Sequence, residues 1–182
     1  MRYIALDIET GGIGTDYSLL TAYFEVLDKS FNSQGSLYLQ IKSDIYNVSA
    51  EALKINKIDL IKHDAGAVSK SEAGRQLRDF LISQSTEKLI PIGHGIHGDL
   101  NFIWQHLLNK KEFEKYVSYG GRLDTGVIAQ FLKVKGLIPE SVHGSLEALI
   151  KFYDIKTDGE LHTAFADTKM TIEVLKHELG MF

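Results

Sequence analysis

The sequence predicts an α/β protein with a mixed five-stranded sheet, three antiparallel strands followed by alternating helix and strand, and helices on both faces. Two patterns carry that expectation. Residues 3–42 hold three apolar or alternating runs joined by turn-like stretches, and the rest of the chain alternates helical patterns with brief apolar runs. Composition sets the scale: 182 residues, 44% hydrophobic and 24% charged, suit a single domain over residues 1–182 that buries about 70% of its unfolded surface.

The first strand is the apolar run YIALDI, which ends at Gly11 and Gly12 and reads as buried on both faces. LLTAYFEVLD and GSLYLQIK follow, rich in β-branched and aromatic residues around the turn-like KSFNSQG, so the three form an antiparallel meander. SAEALKIN and SKSEAGRQLRDFLISQ are helical, the second with a Ser cap and with Leu77, Phe80 and Leu81 at helical spacing. KLIPIGH is a short buried strand. In GDLNFIWQHLL, Leu100, Ile103, Trp104, Leu107 and Leu108 make a helical stripe, which puts Trp104 in the core and Asp99 at the helix start. GRLDTGVIAQFLK gives a brief strand and a helix, SLEALIKFYDI another helix, and TAFADTKMTIEVLKHEL a long last one. No repeat, low-complexity stretch or linker interrupts the series.

Composition also excludes some functions. Without cysteine there are no disulfides and no thiolate metal sites, which is compatible with a reducing compartment. The N-terminus has no signal-peptide pattern, and no stretch approaches the eighteen or so apolar residues of a membrane span, so the expectation is a cytoplasmic protein with no membrane role. A net charge of −4 disfavours a broad nucleic-acid surface, although bound dications would offset it.

Two acids interrupt the first strand. Positions two apart on a strand project to one side, so Asp7 and Glu9 stand together, about 6.5 to 7 Å apart along the chain. They repel and lose hydration, so either the strand end opens to water or a cation supplies the partner.

Further acids lie in GHGIHGDLNFI (Asp99), RLDTG (Asp124) and HTAFADTKM (Asp167, with His162). Asp124 and Thr125 suit helix capping rather than chemistry. Taken in order, DIETGG, HGIHGD and HTAFAD resemble the DEDDh 3′-to-5′ exonucleases, the group that includes the proofreading subunit of bacterial DNA polymerase III and oligoribonuclease. In that family the first motif is D-x-E-T followed by Gly, the second centres on an Asp opening a helix, and the third is H-x4-D. The resemblance runs over nearly the whole chain. SAEALKINKI is similar to the family's helical segment after the third strand, and SLEALIKFYDI to the helix before the last motif.

The resemblance implies a ribonuclease H-like fold and hydrolysis of single-stranded DNA or short RNA from the 3′ end. It implies two Mg²⁺ or Mn²⁺ ions on Asp7, Glu9, Asp99 and Asp167, with Asp7 bridging and His162 as general base. Oxygen ligands with no Cys suit such hard ions better than zinc. Thr10, Gly11, Gly12 and Phe102 are implied to meet the substrate, and a polymerase partner or a homodimer both fit the family. Lys110 and Lys111, or Lys133 and Lys135, are candidate phosphate contacts.

Two positions depart from the pattern. Where the family's second motif carries Asn after its His and Phe before its Asp, this chain has Gly95 and Gly98, and Gly98 leaves room and removes a stacking surface. His97 and Phe102 are the candidates to compensate. Positions five apart on a helix lie about 140° apart, so His162 and Asp167 cannot share a face and His162 belongs to the loop before the helix, after the polar KTDGE.

Three rivals remain. TGGIGT lacks the spacing and the lysine of a phosphate-binding loop. A zinc site on His94, His97 and Asp99 leaves the other acids unexplained. A non-catalytic nucleic-acid-binding or polymerase-associated protein could keep the fold, but all four acids and the histidine are present.

Overall fold

The computed structural model describes residues 1–84, 87–118, 120–157 and 162–181. The strands β1 (Tyr3–Thr10), β2 (Leu19–Leu27) and β3 (Ser33–Lys42) form the expected antiparallel meander. Parallel pairing then adds β4 (Val68–Ser69), β5 (Ile90–Gly93) and β6 (Leu123–Asp124), giving the order β4-β3-β2-β1-β5-β6. The sheet therefore has six strands where five were expected. The extra one is β4, which pairs with Ile41 and Lys42. Two residues are too few for an alternating pattern to mark them.

Helices α1 (Ala50–Asn56), α2 (Leu60–Gly66), α3 (Lys70–Gln84), α4 (His97–His106), α5 (Lys110–Phe113), α6 (Thr125–Val134), α7 (Leu146–Phe152) and α8 (Ala164–Leu179) complete the chain. Their starts follow from local chemistry. The side chains of Ser49, Asp124, Ser145 and Thr163 each accept from a backbone N–H in the first turn of α1, α6, α7 and α8. Ser69 does the same for Glu72 in α3.

Alternation along β1 divides the two layers. Ile4 and Leu6 join Phe24, Leu39 and Ile41 against Leu77, Leu81, Leu100 and Ile103 of α3 and α4. On the other face Ala5 and Leu27 meet Ile172 and Leu175 of α8. Each fully buried Leu or Ile there contributes roughly 1.5–3 kcal/mol. Trp104 packs half-buried against the first cluster, as its stripe predicts. Because β1 and β5 run parallel, the end of β1 carrying Asp7 and Glu9 and the end of β5 leading into α4 lie at one edge of the sheet. In open α/β sheets that carboxyl edge is where ligands bind. Among the described residues, no helix is long and apolar enough to cross a membrane.

Candidate active site

Register places the first acids. Asp7 pairs opposite Tyr23 and Glu9 opposite Thr21, and a register shift between Glu9 and Thr10 bends the strand just beyond them. Asp167 sits in the first turns of α8, which packs across β1. One carboxylate oxygen from each of Asp7, Glu9 and Asp167 lies within 4.8 Å of the others. Asp99, in the first turn of α4, stands beside this triad rather than in it, and its Oδ2 is buried without a hydrogen-bond partner.

The cluster is electrostatically unbalanced. Burial raises the Asp7 carboxyl well above the usual carboxylate range, and the charges acting on it, Asp99, Glu9 and Asp167, are all negative. Burial and then Asp167 push Glu9 up to about 7, and burial, Asp124 and Glu9 push Asp99 up to about 8. Asp167 is also raised by burial, partly relieved by the backbone N–H of His162 and by the charges of His162 and His94. A dication among these oxygens would remove the repulsion, and an all-oxygen donor set suits Mg²⁺ or Mn²⁺.

His162 lies on the loop before α8, as the five-residue spacing requires, with its side chain exposed and its backbone in the left-handed region (φ 71°). Residues 158–160 of the preceding KTDGE stretch lie outside the described residues. Asp124 caps α6 by accepting from Gly126 and Val127. It also accepts from the N–H groups of Gly95 and Ile96, at 3.1 and 3.2 Å, and so fixes the turn that launches α4 and Asp99. The alternative zinc set is not assembled: His94 Nδ1 lies 2.8 Å from Thr125 Oγ1, and His97 pairs with Asn101. Lys110 lies over the Trp104 ring and pairs with Glu114, at 3.8 Å.

Beside the acids opens a cavity of about 560 Å³, bounded by Glu9, Thr10 and Gly12 on one side and Gly98, Asp99 and Phe102 on the other. Of the four residues named for substrate contact, Thr10, Gly12 and Phe102 line this cavity, whereas Gly11 lies behind the wall. Its N–H donates to the Ser18 carbonyl and its carbonyl accepts from Ser49. A Cβ on Gly98 would meet nothing within 4 Å, so the room expected there is present. Sequence reasoning missed Tyr17, Ser49, Ile55 and Asn56 in this wall. Asn56 Nδ2 donates to the Thr10 carbonyl, and its Oδ1 accepts from Ile58 N–H. A larger cavity, about 850 Å³, is lined by Glu25 and Leu27 of β2 and by Phe165, Lys169 and Lys176 of α8.

No family model and no curated protein matches the chain by sequence. Solved structures do. A zinc-ion-bound exonuclease I–single-stranded DNA complex from E. coli superposes with a TM-score of 0.72 at 20% identity, over 96% of this chain and 40% of that one. Exonuclease I from Methylocaldum szegediense gives 0.73 at 21%, over 95% and 39%, and cell-death related nuclease 4 gives 0.70 at 14%, over 99% and 64%. The chain has the ribonuclease H-like exonuclease fold. It spans about two fifths of the exonuclease I chains and less than two thirds of cell-death related nuclease 4. In this exonuclease fold the acids of β1, α4 and α8 converge at the carboxyl edge of the sheet, the convergence that periodicity along the sequence could not supply.

Proposed function

We propose that the chain is a cytoplasmic, divalent-metal-dependent 3′-to-5′ exonuclease that releases nucleoside 5′-monophosphates from single-stranded DNA or short RNA. The observation that carries this reading is the gathering of Asp7, Glu9 and Asp167 within 4.8 Å, where Asp99, Glu9 and Asp167 all raise the Asp7 carboxyl. The fold shared with nucleases supports it, and one of those was solved with single-stranded DNA.

Asp7, Glu9, Asp99 and Asp167 would hold two Mg²⁺ or Mn²⁺ ions, which when bound polarise the phosphoryl group and stabilise the leaving oxygen. The chain's residues do the rest. The terminal nucleoside enters the cavity lined by Thr10, Gly12 and Phe102, which orients its phosphate over the acids. His162, exposed on the loop before α8 beside Asp167, takes the proton of the attacking water as its oxygen bonds to phosphorus and the bond to the 3′ oxygen breaks. The 3′ oxygen leaves with the shortened strand and is protonated from solvent. Its partner is the 3′ end of a single strand, and assembly with a polymerase or a second copy belongs to the same reading.

The test is digestion of matched 5′-labelled DNA and RNA oligonucleotides with Mg²⁺ or Mn²⁺. A ladder shortening from the 3′ end, abolished by chelator or a blocked 3′ end, is expected. Cutting of circular single strands at the same rate would defeat the directional claim.

A further inference from the structure

The cavity beside the acids has one wall that the acids do not explain. Gly12, Ile13 and Tyr17, on the loop between β1 and β2, line it together with Phe102 of α4. The base of that loop is held by Gly11 N–H to the Ser18 carbonyl and by Ser49 N–H to the Gly11 carbonyl. Its outer turn is held differently. Besides Thr10 Oγ1, which donates to the Gly12 carbonyl, side chains from distant stretches of chain bond to its backbone: Asn47 donates to the Asp16 carbonyl at 3.2 Å, and His106 meets the Thr15 carbonyl at 2.8 Å.

A carbonyl only accepts, so His106 Nε2 carries the proton of this bond. The ring stands on the same helix face as the chemistry. Asp99, Phe102 and His106 are spaced i, i+3 and i+7 along α4, one stripe of the helix. Phe102 lies parallel to the His106 ring, centroids 5.7 Å apart and planes at 17°, and is itself 4% exposed. One stripe of α4 therefore carries an acid of the cluster, a lining residue of the cavity and the tie to the loop that also lines it.

We propose that His106 is a positioning residue of the nucleotide cavity, holding the loop of residues 11–18 at a fixed distance from α4 so that the terminal nucleoside fits between Tyr17 and Phe102. The inference rests on the exonuclease reading and adds a residue that contacts neither the acids nor the reacting phosphate. Without this tie the outer turn moves away from α4 and the nucleoside must order it on binding, a cost that falls on affinity and not on the chemical step.

Two variants of the full chain test it. His106→Phe keeps a ring against Phe102 and loses the donor, whereas His106→Gln offers an amide N–H near the position of Nε2. In hydrogen exchange without substrate, the segment 11–18 should exchange faster in His106→Phe and return to the parental rate in His106→Gln. On a 5′-labelled single-stranded oligonucleotide, His106→Phe should raise KM about 3- to 10-fold, the effect of one lost hydrogen bond, with kcat within about twofold. His106→Gln should restore KM. A merely structural role would lower kcat and thermal stability in both variants alike, and that result, or unchanged exchange and KM in His106→Phe, overturns the proposal. A parent that leaves every oligonucleotide intact defeats the exonuclease reading instead, and the exchange measurement still decides whether His106 holds the loop.

Discussion

The backbone N–H of His162 donates to Asp167 Oδ1 at 3.1 Å. The loop that carries the histidine is thus tied to the acid of α8 through main chain and not through its exposed imidazole. With φ at 71°, the position favours residues that tolerate the left-handed region.

That geometry selects the variant for testing the base. His162→Asn keeps the backbone donor and tolerates the backbone conformation, so folding and Mn²⁺ binding should match the parent. Turnover should fall by about 10²- to 10⁴-fold, the usual contribution of a positioned general base. Single-turnover rates measured from pH 5.5 to 8.5 should rise with pH in the parent and lose that limb in the variant. Parental turnover with the same limb in His162→Asn would remove His162 from the mechanism.

The acid cluster makes a second prediction, in which the sign matters. Glu9 and Asp99 stand at about 7 and about 8 in the folded chain, above their unfolded values near 4. Between those limits the folded state binds more protons than the unfolded one, so metal-free stability falls as pH rises from about 4 to 8. Glu178 adds to that slope: both its oxygens are buried without partners, and burial pushes it up to about 8. Thermal unfolding with chelator should give a higher Tm at pH 5 than at pH 8. Mn²⁺ should raise Tm more at pH 8, and Asp7→Asn should abolish that gain while raising metal-free stability. Glu178→Gln should stabilise equally with and without Mn²⁺. A metal-free Tm that rises from pH 5 to pH 8 would contradict the cluster as described.

What the sequence made legible was local. Asp7 and Glu9 share a strand face by a period of two, the α4 stripe follows from 3.6 residues per turn, and the serine before α3 and Asp124 before α6 announce helix starts. The site's supporting bonds were not legible because they span long stretches of chain. Asn56 reaches Thr10 over 46 residues, Asp124 reaches Ile96 over 28, and His106 reaches Thr15 over 91. Nor does any pattern separate Gly11, which builds the turn, from Gly12, which lines the cavity. That distinction comes from what packs against each.

The glycines give the third prediction. A Cβ on Gly11 would lie 2.3 Å from the Asn47 backbone carbonyl, which cannot swing aside, whereas one on Gly98 would meet nothing within 4 Å. Gly11→Ala should therefore cost about 1–3 kcal/mol and lower Tm by several degrees. Gly98→Ala, in the first turn of α4, should leave Tm unchanged or raise it slightly. Gly98→Phe should fold as well but narrow the cavity, changing KM for the oligonucleotide. Equal stability losses in Gly11→Ala and Gly98→Ala would refute this account of the turn.

Asp124 makes the last prediction, because one carboxylate serves two helices. Its Oδ1 accepts from Gly95, Gly126 and Val127, and its Oδ2 from Ile96. Asp124→Asn can keep the acceptor at Oδ1 but sets an NH₂ against the Ile96 N–H, two donors facing each other. That should cost about 1–3 kcal/mol. Asp124→Ala loses all four bonds, so both α6 and the turn before α4 lose their tie, and the cost should rise to about 2–4 kcal/mol. Function should suffer unevenly. Asp99 rides on the freed turn, while Asp7, Glu9 and Asp167 are held by β1 and α8. Titration of Asp124→Asn with Mn²⁺ should therefore show one ion bound at parental affinity and the second weakened, with kcat reduced. Denaturant midpoints measured alongside would separate this local effect from general loss of fold. If Asp124→Ala keeps parental stability and binds both ions at parental affinity, the carboxylate is not what positions α4.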